Sequence, residues 1–178
     1  MYKLTGERQL RPLRESDQVF LDDLYASRRL DLQQLPMAPV IVAQMIKMQQ
    51  HVQMSGIQQH FPEAQHFIVE EAGQPVGRVV IDAGTSDLRL VDIAMMPQAQ
   101  RKGIARSVLR AMQEEALENN LNISLAVEIH NQAARALYLQ MGFFVQGSDG
   151  LFEQMHWYSS SDKQHVADKQ LGTQHVTA

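Results

Sequence analysis

The residues best suited to do chemistry lie in one stretch, 91–105, which reads VDIAMMPQAQRKGIA. Its Q-x-x-G-x-A segment, from Gln100 to Ala105, falls between a predicted strand and a predicted helix. Gly103 and the small Ala105 let the backbone approach an anion closely, and the unbonded amides that open the helix point at it. Arg101, Lys102, Arg106 and Arg110 crowd the same turn, although the whole chain has a formal net charge of -4. Positive charge gathered against the global balance is what an anion site requires. A second group follows downstream, where Asn131 and Tyr138 lie two helical turns apart and so share one helix face. Taken singly, Asn131 is a good helix N-cap and Tyr138 a half-buried aromatic.

These side chains need elements to hold them. Residues 9–13 alternate weakly up to Pro12 and predict a short strand, followed by a helix over 16–28 with Phe20, Leu21, Leu24 and Tyr25 on its apolar face. A second helix is predicted over 40–54, where Ile41, Met45, Met48 and Val52 form a stripe that packs as core or as a lid. The period then changes to two. Segments 66–71 and 76–82 are strands joined through Ala72-Gly73-Gln74-Pro75 as a hairpin, and 88–95 continues the sheet. Pro97 stops that strand, and Ile104, Ala105, Val108, Leu109, Met112 and Ala116 recur with helical spacing until Asn119-Asn120 closes the helix. A strand over 123–129 and a helix over 131–141, capped by Gly142, come next. A hairpin of 143–145 with 151–158 around Gly147-Ser148-Asp149-Gly150 completes the order. Such an order specifies an α/β or α+β sheet with helices on its faces.

Composition narrows the partners. A length of 178 residues with 44% hydrophobic content fits one globular domain, placed at 1–158. From Ser159 onward the chain is polar and aperiodic, and its composition predicts a disordered tail over 159–178. Sixteen basic against 20 acidic residues, with no long basic run, argue against nucleic acid as a partner. Zero cysteines remove disulfides, thiolate metal sites and cysteine nucleophiles. The seven histidines show no ligand spacing, so no metal is expected. The opening residues lack an apolar signal core and no apolar run matches a bilayer, so the expectation is a cytoplasmic protein with no membrane partner.

The two motifs together are more specific than either alone. A Q-x-x-G-x-A loop followed by Asn131, Ala134, Leu137-Tyr138 and Gly142-Phe143, as N-x-x-A-x-x-L-Y-x-x-x-G-F, resembles the GNAT superfamily of acyl-CoA-dependent N-acetyltransferases. Leu10-Arg11-Pro12-Leu13 with Asp17 is similar to the first strand and helix of that family, so the resemblance spans residues 9–158. It implies a mixed, mostly antiparallel central sheet, splayed after strand 4, with helices on both faces and acyl-CoA in the wedge. It further implies that backbone groups of Ala94 and Met95 bond the pantetheine arm, the Met95 side chain being structural. Amides of Arg101, Lys102, Gly103, Ile104 and Ala105 then cradle the pyrophosphate, with Gln100 where the family uses Arg or Gln. Lys102 and Arg106 either add charge there or form a solvated basic face. Asn131 is implied to bond the pantetheine, and Tyr138 to donate a proton to the departing sulfur.

The implied reaction is direct attack of a primary amine on acetyl-CoA in a ternary complex, since no cysteine is present to carry the acetyl group. Fixed amides stabilise the oxyanion that forms, and a thiolate with a pKa of about 8.5 needs only assistance from a tyrosine of about 10. The positions matching the family's two usual glutamate bases carry Arg89 and Ala126. Asp92 is the leading substitute, acting directly or through water, ahead of Glu128 and His130. An ion pair, solvent exposure and helix entry are the competing roles of those three. An α-amine acceptor, with a pKa near 8, would be substantially neutral and need little base.

The resemblance implies that acceptor selection falls to the first two helices and the last hairpin, which here offer Tyr25, Arg28, Arg29, the methionine-rich second helix, Glu153 and His156. Arg28-Arg29 is either a carboxylate-binding pair or a surface dibasic pair. The acceptor is a small molecule, protein or peptide amine. Two alternatives stay open: a catalytically weak CoA-sensing or partner-binding module, and a nucleotide-binding loop, although no G-x-x-x-x-G-K-[ST] sequence occurs. An edge strand at 151–158 would allow a homodimer or be covered by the tail.

Overall fold

The computed structural model describes Tyr2 and residues 4–159; the predicted tail beyond Ser159 lies outside the described residues. Seven strands form one sheet: β1 Arg8–Pro12, β2 Gln65–Glu71, β3 Gln74–Ala83, β4 Asp87–Met95, β5 Asn122–Glu128, β6 Phe144–Ser148 and β7 Phe152–Trp157. Their spatial order is β1-β2-β3-β4-β5-β7-β6. Five helices accompany them: α1 Gln18–Ser27, α2 Leu30–Gln33, α3 Pro39–His60, α4 Ile104–Glu118 and α5 Gln132–Gln140. None of the described helices is long and apolar enough to cross a membrane.

The turns follow from local chemistry. β2 and β3 are joined by Ala72 and Gly73, both at positive φ (50° and 73°), a two-residue turn whose twist suits a hairpin. α4 ends as its sequence specifies, with Asn120 in the left-handed region at φ 53°. At the last turn the Asp149 carboxylate accepts from the amides of Leu151 and Phe152, at 2.8 and 2.7 Å, and these bonds hold its carboxyl below the usual range.

Every neighbouring pair is antiparallel except β4 and β5, which run parallel. Their pairing covers only Asp87–Leu90 against Asn122–Leu125. Beyond Leu90 the strands part. A bulge sits at this place, because Ile81 pairs with Leu90 while Val80 pairs with Asp92, leaving Val91 as an extra residue. An extra residue bends and twists its strand, so β4 leaves β5 while keeping β3 as a partner as far as Met95. The sheet is therefore splayed after β4.

α4 closes one face. Ile104, Val108, Leu109, Met112 and Ala116 are buried against Leu88, Leu90, Ile123 and Leu125, as the helical spacing requires. Across the sheet, Leu32, Val42 and Ile46 form a smaller cluster with Tyr25 and Met45. Here the structure corrects the sequence reading. Ile41, Met48 and Val52 are exposed, with Met45 alone of the expected stripe half-buried. The helix carries two apolar stripes of helical spacing, and contact with α2, which the sequence did not reveal, turns Val42 and Ile46 inward.

The last hairpin brings a second correction. β7 lies between β5 and β6 rather than at the sheet margin, and β6 is the edge. β7 takes the inner place because Leu125 and Val145 both pair with Met155, which is fully buried. Ser159, assigned to the tail, is still docked: it is buried and its amide donates to Asn122 Oδ1 at 3.3 Å.

Candidate active site

The site begins where β4 loses β5. Residues 91–95 present one edge to β3 and have no strand partner on the other among the described residues. Gly77 on β3 makes this approach possible. A Cβ there would lie 2.6 Å from the Ala94 carbonyl oxygen and collide with Met95 Sδ, so only glycine lets β3 lie under this part of β4. After Met95 the chain makes a 3-10 turn over Pro97–Ala99, and the Gln100 side chain reaches back to donate to the Met95 carbonyl at 3.1 Å. Gln100 thus braces the loop against the strand end.

Arg101 and Gly103 both hold positive φ, 61° and 77°, and Gly103 is the N-cap of α4. No side chain caps this helix. Its amide ladder starts with Ser107 donating to the Gly103 carbonyl at 3.0 Å, so the amides of Ile104, Ala105 and Arg106 are open to an anion. From the far edge of the sheet, Arg8 donates to the Lys102 carbonyl at 2.9 Å and fixes the loop. Arg106 bonds Gln140 Oε1 at 2.6 Å, tying α4 to α5, while Lys102 and Arg110 are exposed.

Opposite the loop, α5 supplies two side chains. Asn131 caps it, with Oδ1 accepting from the Ala134 amide at 3.2 Å. Tyr138 is buried, its ring 5.9 Å from that of Phe143. Burial, then the Asp92 carboxylate, push its hydroxyl up to about 12, with Arg28 opposing. Tyr138 is therefore a proton holder at any cellular pH. Every residue expected to hold acyl-CoA except Lys102 lines one cavity of about 690 Å³ between the β4 edge, the loop, α4 and α5. Open amides at one end and an unpaired strand edge along the wall fit a long ligand with a phosphate group. Arg28 and Ile93 line the same cavity.

The other end of the site is held by charge. Asp92 lies between Arg28 Nη1 at 3.7 Å and Arg78 Nη2 at 3.5 Å. Arg78 is buried, and burial lowers its pKa while Asp92 opposes that and Arg28 adds to it. None of the three candidate bases lines this cavity: Asp92 is joined to it through its ion pair with Arg28, which does line it, whereas Glu128 and His130 are exposed. Arg89 and Ala126, at the two usual glutamate positions, are placed away from it, Arg89 donating to Gln154 Oε1 at 3.1 Å. Glu153 is engaged by Arg135 at 2.6 Å, and His156 stacks on Tyr158 at 6.1 Å.

Arg78, Gly77 and Arg8 are the contributors that sequence reading passed over. The first had a signal, since it is a lone cation inside the apolar run VGRVVI. His66, across the sheet from Val80 and Asp92, is a further one: its Nδ1 is buried without a hydrogen-bond partner, and burial and Arg78 lower its pKa. It lines a different cavity.

Comparison with known families decides the ancestry. The profile of the acetyltransferase (GNAT) family matches residues 22–143. The chain belongs to the GNAT family. Solved structures agree at the level of fold. The PaiA N-acetyltransferase of Thermoplasma acidophilum, in complex with coenzyme A, superposes with a TM-score of 0.64 at 14% identity, covering 86% of this chain and 99% of that one. A dodecameric spermidine N-acetyltransferase from Vibrio cholerae gives 0.59 at 20% identity, covering 89% and 98%. A ribosomal L7/L12 α-N-protein acetyltransferase in complex with coenzyme A gives 0.58 at 17% identity, covering 88% and 95%. No curated protein sequence matches. GNAT proteins use acetyl-CoA, and acetyl transfer is the chemistry of the family.

Proposed function

We propose that this GNAT protein transfers acetyl from acetyl-CoA to a primary amine, of a small molecule or of a protein or peptide, by direct attack in a ternary complex. The supporting observation is that the open β4 edge, the open α4 amides and the protonated Tyr138 line one cavity, with Asp92 beside it. Acetyl-CoA supplies an activated thioester. Amides from Arg101 to Ala105 hold its phosphates, the β4 edge at Ala94 and Met95 aligns the pantetheine, and Asn131 bonds it through the nitrogen left after Oδ1 has capped α5.

Tyr138 stabilises the leaving sulfur. With its hydroxyl at about 12 and a free thiol near 8.5, full proton transfer to a solvated thiolate would be uphill by about 5 kcal/mol. Tyr138 accordingly acts by donating a hydrogen bond to developing charge, and it keeps its proton until the thiolate is itself desolvated. Asp92 takes up the proton of the attacking amine, directly or through water.

A thiol-release screen with acetyl-CoA against amines and peptides with free N-termini tests the reading, alongside thermal shifts with acetyl-CoA, CoA and ATP. Thiol release with an amine, and stabilisation by CoA but not ATP, are expected. Engagement of Asp92 by two guanidinium groups favours a second reading, a CoA-sensing or partner-binding module. Stabilisation by acetyl-CoA with no thiol release across the panel would select it, and stabilisation by ATP alone would discard both.

A further inference from the structure

Two adjacent arginines at the end of α1 have different fates. Arg29 is used locally, its Nε and Nη2 bonding the two carboxylate oxygens of Asp31 at 3.0 and 2.7 Å. The Arg28 side chain is 41% exposed, and its ion pair is with Asp92 at 3.7 Å. Asp92 is shared. Behind it stands Arg78, with a side chain only 7% exposed and Nη2 at 3.5 Å from the same carboxylate. Arg78 Nε and Nη2 are buried and have no hydrogen-bond partner among the described residues.

One carboxylate therefore faces two guanidinium groups, which stay charged at any cellular pH. These three groups carry two positive charges against one negative. The space between α1, Arg78 and Asp92 is about 10 Å³, room for a water at most. Arg28 has another outlook, because it also lines the large cavity together with Tyr138. The uncompensated charge is thus presented where an acceptor must meet the thioester.

We propose that the acceptor is an amine whose own molecule carries a carboxylate, bound by the Arg28 guanidinium. The planar fork of arginine matches a carboxylate with two parallel hydrogen bonds. Arg78, at 3.5 Å from the same carboxylate, keeps Asp92 from capturing Arg28 outright. A polycationic amine such as spermidine would bring more positive charge to a wall that already has an excess. This inference rests on the acetyl-transfer reading.

The experiment measures thiol release for L-amino acids, each against its own amide, at rates corrected for the neutral fraction of the amine. Spermidine and peptides with a free N-terminus and no carboxylate complete the panel. Each is run with the unaltered protein and with Arg28→Gln, a change at a position whose side chain is 41% exposed. The expected result is a kcat/KM for amino acids at least about tenfold above their amides, the size of one charge-assisted hydrogen bond. That ratio falls toward one in Arg28→Gln, while acetyl-CoA still raises Tm. Equal or better rates with amides, spermidine or carboxylate-free peptides overturn the carboxylate proposal and leave acetyl transfer standing. So does a ratio that Arg28→Gln does not change. Silence of the whole panel, with the acetyl-CoA thermal shift intact, overturns acetyl transfer and this proposal with it.

Discussion

The two ends of the cavity use different materials. At the loop end, which we propose as the phosphate end, the contacts on offer are backbone amides of residues 101–106, held by two left-handed residues, the Gln100 brace and the Arg8 bond. At the other end, the proposed acceptor end, they are side-chain charges, Arg28, Asp92 and Arg78, brought together from α1, β4 and β3. A backbone site depends on conformation and little on the surrounding side chains. A charge cluster depends on each member, because removing one leaves another buried and unbalanced. Substitutions should therefore hurt the first end through geometry and the second through chemistry.

The largest effect should come from breaking the geometry of the phosphate end. Gly103→Val places a β-branched residue at φ 77°, which such residues avoid, and should displace the loop. A fall in kcat/KM of about a hundredfold or more, with loss of the acetyl-CoA thermal shift, is expected. Tyr138→Phe should lower kcat by about ten- to a hundredfold and leave that thermal shift in place. Because the hydroxyl of Tyr138 stays protonated up to about 12, the pH profile of kcat should show no basic limb from it below pH 10 or so. A Tyr138-dependent limb near pH 9 would contradict the assignment.

Between the two ends lies Gly77, under Ala94 and Met95. Gly77→Ala must push β4 aside, and a loss of about 1–3 kcal/mol in urea unfolding is expected, together with weaker acetyl-CoA stabilisation. The acceptor end has its own anchor, since Arg11 grips Asp17 with two bonds of 2.7 Å just before α1, the helix that ends at Arg28. The Arg11 guanidinium, helped by the Arg14 amide, holds the Asp17 carboxyl at about 2 against burial. A depressed carboxyl contributes stability that is complete above its unfolded value and lost as pH falls through the folded one. Unfolding between pH 4.5 and pH 2 should show that loss, and Asp17→Asn should flatten it. The smallest effect belongs to Lys102, exposed beside the loop: Lys102→Ala should change KM for acetyl-CoA by about threefold or less, a rim-charge effect that salt also removes. A large effect there would mean that side-chain charge, not backbone, carries the phosphate end.

Legibility follows the same division. The Q-x-x-G-x-A loop and the helix after it could be read from residues 91–118 because their signals are local: a glycine that must take positive φ, a proline that ends a strand, and apolar residues at helical spacing. That Asn131 caps α5 and Tyr138 lies on it is legible for the same reason, since cap and helix are close in the chain. In α3 the spacing alone points the wrong face inward, since Ile41, Met48 and Val52 are as helical in spacing as Val42 and Ile46, and only contact with α2 separates them. The final hairpin was legible as a hairpin, but not which of its strands would be the edge.

The sequence by itself determined the elements around the proposed acyl-donor site, because each needs only residues close in the chain to take a preferred conformation. Tertiary structure alone decided the acceptor end. Arg28 and Asp92 are 64 residues apart, Arg78 sits on a neighbouring strand, and a bulge at Val91 both opens the sheet and precedes Asp92. Coulomb forces act on distance in space, which spacing along a chain does not encode.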